Sequence, residues 1–240
     1  MTKALLFDLD GTLLPMDTEL FVKHYIDAFR QTIKEHLDPE LFVQALLKGT
    51  GAMLTNLDPE KTNEQVFEDT FLAITRVDKA TFWPRLYAFY EEEFPKLKKY
   101  TAPTPWAKKV VEEAARQGYR LVVATNPLFP RRAIEERLAW AGVAKDLFEL
   151  ITVYEEMPFA KPHLEYYQWI VECLDLSPRS CIMIGNDMQE DMCASKLGMA
   201  TYLVEDCLVD RGNPRYQVDG RGSLEALYWQ LKNGEGLFEK

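Results

Sequence analysis

Short apolar runs alternate with amphipathic stretches along most of this chain, and that alternation limits the fold more than any other feature. The runs ALLFDLD (4–10), YRLVVAT (119–125), LFELITV (147–153), SCIMIGN (180–186) and MATYLVE (199–205) are predicted strands. Their near-continuous apolar character is that of strands buried on both faces, as in a parallel sheet covered by helices. Segments 105–118, 131–142, 163–176 and 190–198 carry apolar residues at helical spacing. The first, second and fourth end at Gly118, Gly142 and Gly198, each suited to close a helix. A weak strand at RYQVDG (215–220) and a helix at SLEALYWQLK (223–232) complete an α/β chain with a Rossmann-like parallel sheet.

Residues 16–100 break the alternation. TELFVKHYIDAFRQTIKEHL, PELFVQALLKG, NEQVFEDTFLAI and TFWPRLYAFYEEEF all read as helices, with no convincing strand among them. The expectation is an all-α domain over 16–100, inserted after the first strand into a core of 1–15 and 101–240. Pro103 and Pro105 favour a linker on its far side, so segments 13–18 and 96–105 are the expected hinges.

In a parallel sheet the carboxyl ends of the strands share one edge, where ligands bind. The first strand ends in Asp8, Asp10, Gly11 and Thr12, and the second in Thr125 and Asn126. Lys161 follows the third, and Gly185, Asn186, Asp187 and Asp191 follow the fourth. Acids, hydroxyls and one lysine therefore converge from four segments. A formal net charge of −10 argues against a nucleic-acid or anionic membrane surface, and no run approaches transmembrane length. Cys173, Cys181, Cys193 and Cys207 form no CxxC pair, which suits reduced thiols and a cytoplasmic location.

DLDGT at 8–12, ATN at 124–126, KP at 161–162 and GNDMQED at 185–191 occur in order at successive strand ends. Together they resemble the four motifs of the haloacid dehalogenase superfamily, and the helical insert resembles its small helical cap. The resemblance implies a Mg²⁺-dependent phosphatase acting on a small phosphorylated metabolite through an aspartyl-phosphate. It makes Asp8 the nucleophile and a metal ligand. Asp10 becomes the general acid and base, its carbonyl also meeting the metal. Relatives that cleave carbon–halogen bonds do not need this second acid, so Asp10 favours phosphoryl transfer. Gly11 and Thr12 turn backbone N–H groups toward the phosphate, which the Thr125 hydroxyl and the Asn126 backbone also hold, while Lys161 offsets the negative charge. Many relatives carry an acid directly after the motif-four glycine, where this chain has Asn186. Asp187 is then the expected metal ligand, Asn186 a possible amide-oxygen ligand, and Asp191 an acid that orients Lys161 or a metal-bound water. The chemistry is consistent: a phosphate dianion facing carboxylates needs a hard cation between them.

A phosphomutase of the same scaffold is the close alternative, and a non-catalytic binding module a more distant one. A dinucleotide-binding domain is disfavoured because no GxGxxG follows the first strand. Within the insert, Lys48 and the glycine-containing stretch GTGAM (49–53), read as a loop, are candidate substrate contacts. Phe82, Trp83, Tyr87, Phe89, Tyr90 and Phe94 are expected to form the domain's own core. His24, His36 and His163 read as structural or surface residues, and no protein partner is implied.

Overall fold

The computed structural model describes residues 3–239. Its six-stranded sheet has the order β3-β2-β1-β4-β5-β6, and all its pairings are parallel. The strands are β1 (Ala4–Phe7), β2 (Arg120–Val123), β3 (Leu150–Ile151), β4 (Cys181–Gly185), β5 (Ala200–Val204) and β6 (Gly220–Gly222). β1 is central, with Phe7 opposite both Val123 and Ile184. The chain builds outward from β1 to β3 and then returns to place β4 to β6 on the other side. That reversal opens a crevice between the ends of β1 and β4.

Alternation along β1 explains the two layers. Leu5 and Phe7 face a core shared with α5 (Pro105–Arg116), α6 (Arg131–Trp140) and α8 (Leu224–Asn233). Ala4 and Leu6 face a second core built with α7 (Leu164–Cys173), where Tyr166, Tyr167 and Ile170 are buried. Gly118, Gly142 and Gly198 each adopt positive φ just past a helical segment, as the sequence suggested.

Between β1 and α5 the chain is helical: α1 (Thr18–Ile33), α2 (Pro39–Thr55), α3 (Asn63–Thr75), α4 (Lys79–Glu92) and a 3₁₀ segment at Phe94–Tyr100. Asp17, Asp38, Thr62 and Asp78 cap the four α-helices by accepting backbone N–H bonds from Leu20, Leu41, Gln65 and Thr81. Their apolar faces meet in an aromatic core, in which Phe29 stacks on Phe89 at 3.8 Å between centroids. Phe94 in turn stacks on Trp140 of α6 at 5.3 Å, so one apolar cluster runs from the insert onto the sheet layer. Polar contacts also dock the two. Asn63 Nδ2 donates to the carbonyls of Pro127 (3.2 Å) and Phe159 (3.4 Å), and Asn56 Nδ2 to that of Pro158 (2.7 Å). The crossing segments lie side by side: Met16 pairs with Thr101, and the Ala102 N–H donates to the Pro15 carbonyl at 2.8 Å.

Several local expectations are corrected. GTGAM is no loop but the C-terminal half of α2, and the linker at 96–105 begins as 3₁₀ helix. Segment 190–198 is a short 3₁₀ helix, Met192–Leu197, preceded by Asp191, whose side chain bonds Lys161 and the Asp187 N–H. The last strand begins only at the final residue of RYQVDG and runs over Gly220–Gly222. Of the six aromatics assigned to the helical core, Tyr87 is exposed and the others are buried. Among the described residues no helix is long and apolar enough to cross a membrane.

The two glycines of α2 have opposite roles. A Cβ on Gly49 would lie 2.6 Å from the Phe67 ring of α3, whereas one on Gly51 would meet nothing within 4 Å. Gly49→Ala is expected to cost about 1–3 kcal/mol through overpacking, and Gly51→Ala to add up to about 1 kcal/mol of helix stability. Urea denaturation should therefore show midpoints moving in opposite directions.

Candidate active site

Asp8 is the first residue beyond β1, and its N–H donates to the Ile184 carbonyl at 2.9 Å. The backbone then folds back at once, with the Gly11 N–H on the Leu14 carbonyl (2.9 Å) and the Leu14 N–H on that of Leu9 (2.8 Å). Gly11 has φ +84°, and a Cβ there would overlap the Asn186 side chain, so glycine is required on two counts. This close approach brings the end of β4 against the turn after β1.

Thr12 Oγ1 lies 3.0 Å from both Asp8 Oδ2 and Asn186 Oδ1. A hydroxyl has one proton to donate, so one of these two acceptor oxygens is left without it. On the other side of Asp8, Lys161 Nζ donates to Asp8 Oδ1 at 3.0 Å and to Asp191 Oδ1 at 2.6 Å. Lys161 and Asp191 are each 1% exposed. Burial opposes the Lys161 ammonium, but Asp191 and Asp8 outweigh it and hold the lysine charged, with its pKa well above the ordinary value. One cation thus faces two carboxylates. Burial pushes Asp191 up to about 7 against the pull of Lys161, and Asp8 adds repulsion. The second Asp191 oxygen accepts the Asp187 N–H at 2.9 Å.

Asp10 pairs with Arg137 of α6. Arg137 is buried, donates through Nε to the Ala133 carbonyl at 3.2 Å, and lies 4.4 Å from the Phe129 ring centroid. Burial raises the Asp10 pKa, Arg137 draws it partly back, and Asp8 raises it further. Asp10 Oδ1 and Arg137 Nη2 are buried without a hydrogen-bond partner.

At the end of β2, the Thr125 carbonyl is held by the hydroxyls of Thr152 (2.7 Å) and Tyr166 (2.8 Å). The Asn126 side chain ties three segments together. It accepts the Lys161 N–H at 3.2 Å and donates to Glu190 Oε2 at 3.0 Å.

The structure therefore brings Asp8, Thr12, Lys161, Asn186 and Asp191 into direct contact, with Asp10, Thr125 and Asn126 on flanking turns. Asp187 departs from its expected place as a metal ligand. Its carboxylate is held by Arg211 at 2.8 and 2.9 Å and by the N–H groups of Gln189 and Glu190, each at 2.8 Å. The oxygen that the β4 end presents beside Asp8 is that of Asn186, whose Nδ2 is anchored on the Cys207 carbonyl at 2.6 Å. Among the described residues no three His, Cys, Asp or Glu side chains converge as a metal-binding group. A cation here would draw on mixed oxygens, and Asp8 Oδ2 with Asn186 Oδ1, sharing a single proton, form a donor pair that fits a hard divalent ion.

Sequence reasoning missed Arg137, Glu190 and Arg211. Arg137 had a readable signal, since it falls on the same helical face as Ile134 and Ala141, where a charge needs a buried partner. Arg211 lies in an irregular segment and had none.

Lys161→Met would leave two buried carboxylates without their cation, and is expected to cost about 3–5 kcal/mol at pH 8. Without the cation Asp191, already raised by burial, is raised further above its unfolded value. The penalty is therefore largest above the folded pKa of Asp191 and shrinks as that acid takes up its proton toward pH 5. Denaturant titrations at the two pH values check this.

The model of the family described as haloacid dehalogenase-like hydrolase matches residues 5–204. Pyrophosphatase PpaX of Oceanobacillus iheyensis is 24% identical over 208 residues, spanning 87% of this chain and 86% of that protein. Glyceraldehyde 3-phosphate phosphatase of Methanocaldococcus jannaschii is 25% identical over 238 residues, spanning 97% and 98%. The crystal structure of a HAD phosphatase from Thermococcus onnurineus shares the fold, with a TM-score of 0.58 at 19% identity over 98% of this chain and all of that one (100%). With its motifs gathered at the crevice of a parallel sheet and a family match over most of its length, the chain belongs to the haloacid dehalogenase-like hydrolases.

Proposed function

We propose that the protein is a phosphatase that hydrolyses a small phosphate monoester through a phosphorylated Asp8. The observation that carries this reading is the Asp8 carboxylate at the crevice, bonded on one oxygen by Lys161 and on the other by Thr12, with a second acid, Asp10, two residues on. The relatives named for pyrophosphate and glyceraldehyde 3-phosphate support the same reaction class.

In the first step an Asp8 oxygen attacks phosphorus and the ester P–O bond breaks. Asp10, its proton affinity raised by burial, gives its proton to the departing alkoxide. In the second, Asp10 takes a proton from water as that water attacks phosphorus, which releases inorganic phosphate and restores Asp8. The Thr125 hydroxyl and the Asn126 N–H hold phosphate oxygens, the Thr12 N–H being already bonded to the Leu9 carbonyl at 3.2 Å, and Lys161 keeps Asp8 oriented while offsetting charge. Mg²⁺, held by the Asp8 carboxylate, the Asp10 carbonyl and the Asn186 amide oxygen, would supply the positive charge that lets a dianion approach these acids. Residues 16–100 form a cap over a core of 1–15 and 101–240, and the paired crossings at Met16 and Thr101 suit a hinge whose closure excludes water.

Phosphate release from para-nitrophenyl phosphate and a panel of phosphorylated metabolites is expected to require Mg²⁺ and to fall to background in Asp8→Asn. Absence of release from every compound would sink the reading. Asn186→Ala is expected to raise the Mg²⁺ concentration needed for half-maximal activity more than Asp187→Ala does, and the reverse order would restore Asp187 as the ligand.

A further inference from the structure

A cavity of about 170 Å³ lies between the helical insert and the sheet domain. Its insert side includes Phe42, Phe71 and Trp83, and its other side Leu128, Phe129 and Tyr154. No charged side chain lines it. Leu47 and Tyr87, exposed large apolar residues, also border it.

The hydroxyls on its walls are mostly spent. Those of Tyr25 and Tyr90 bond each other at 2.8 Å, that of Thr50 donates to the Leu46 carbonyl at 2.9 Å, and that of Tyr87 to Glu64 at 3.3 Å. Tyr154 remains to meet a single polar atom. A phosphate, a polyol or a carboxylate placed here would lose its water with almost no replacement bonds, at a cost that rules out tight binding. The volume suits one ring, since an apolar cavity of about 150 Å³ takes up benzene.

The cavity adjoins the reaction site through the turn after β2. The Leu128 N–H donates to the Asn126 carbonyl at 2.8 Å, and Phe129 next to it carries the guanidinium that holds Asp10. Phe129, a wall of the cavity, is thus one side chain, Arg137, away from Asp10.

We infer that the substrate is a phosphate monoester whose leaving group is apolar and ring-sized, and that this group seats in the cavity between the helical insert and Phe129. The inference rests on the phosphatase reading and narrows its substrate class, away from the pyrophosphate and glyceraldehyde 3-phosphate for which the relatives are named.

Calorimetric titration of the wild-type protein, with Mg²⁺ present, against benzylphosphonate, methylphosphonate and inorganic phosphate tests it without turnover. Benzylphosphonate is expected to bind about tenfold or more tightly than methylphosphonate. Filling the cavity by Leu46→Trp, or by Thr50→Phe should the first variant fail to fold, is expected to remove that advantage. Equal affinity for the two phosphonates, or an advantage that survives filling, overturns the inference and leaves the phosphatase reading standing. If none of the three binds and no phosphate ester is cleaved, both fall.

Discussion

The site is organised by a shortage of positive charge. Lys161 is one buried ammonium bonded to two carboxylates from different strand ends, Asp8 and Asp191. A buried ion pair is stable only when both partners keep their hydrogen bonds, and here each carboxylate uses its second oxygen elsewhere, Asp8 on Thr12 and Asp191 on the Asp187 N–H. The three segments after β1, β3 and β4 are thereby locked to one another, and the triad still carries an excess negative charge. An excess of that kind makes the site receptive to a divalent cation while excluding a bare phosphate.

The neighbouring acids are handled differently. Asp10 and Asp187 each have an arginine, buried Arg137 and half-exposed Arg211. Arg211 turns Asp187 away and leaves Asn186, a neutral amide, as the oxygen donor beside Asp8. Compared with an acid in that position, the amide contributes an oxygen without adding to the negative charge. The aromatic cavity continues the theme, because polar groups on its walls satisfy one another and leave only surface for apolar contact.

Much of this was legible in the sequence. Consecutive apolar residues marked the parallel strands, and the strand-end rule put Asp8, Thr12, Lys161 and Asp191 on one edge before any coordinate was known. What escaped was set by long-range packing. GTGAM looks like a loop because its glycines are poor helix formers, yet Gly49 is small in order to let α2 approach Phe67. The direction of the Asp187 side chain depended on Arg211, 24 residues away in an irregular segment. Helical periodicity identified the insert's aromatics as core, but had no means of showing that their packing leaves a ring-sized space.

The side-by-side crossings at Met16 and Thr101 have a consequence for how such a chain can change. Because the backbone leaves the sheet and comes back at neighbouring points, the sheet experiences everything in between as a single closed loop. The entropy of closing a loop rises only with the logarithm of its length. The intervening helices can therefore be lengthened, trimmed or exchanged over generations at little entropic cost to the sheet, so long as the two crossings still meet and the docking contacts of Phe94, Asn56 and Asn63 are kept. The insert can change in this way while the charged centre at the ends of β1 and β4 stays as it is.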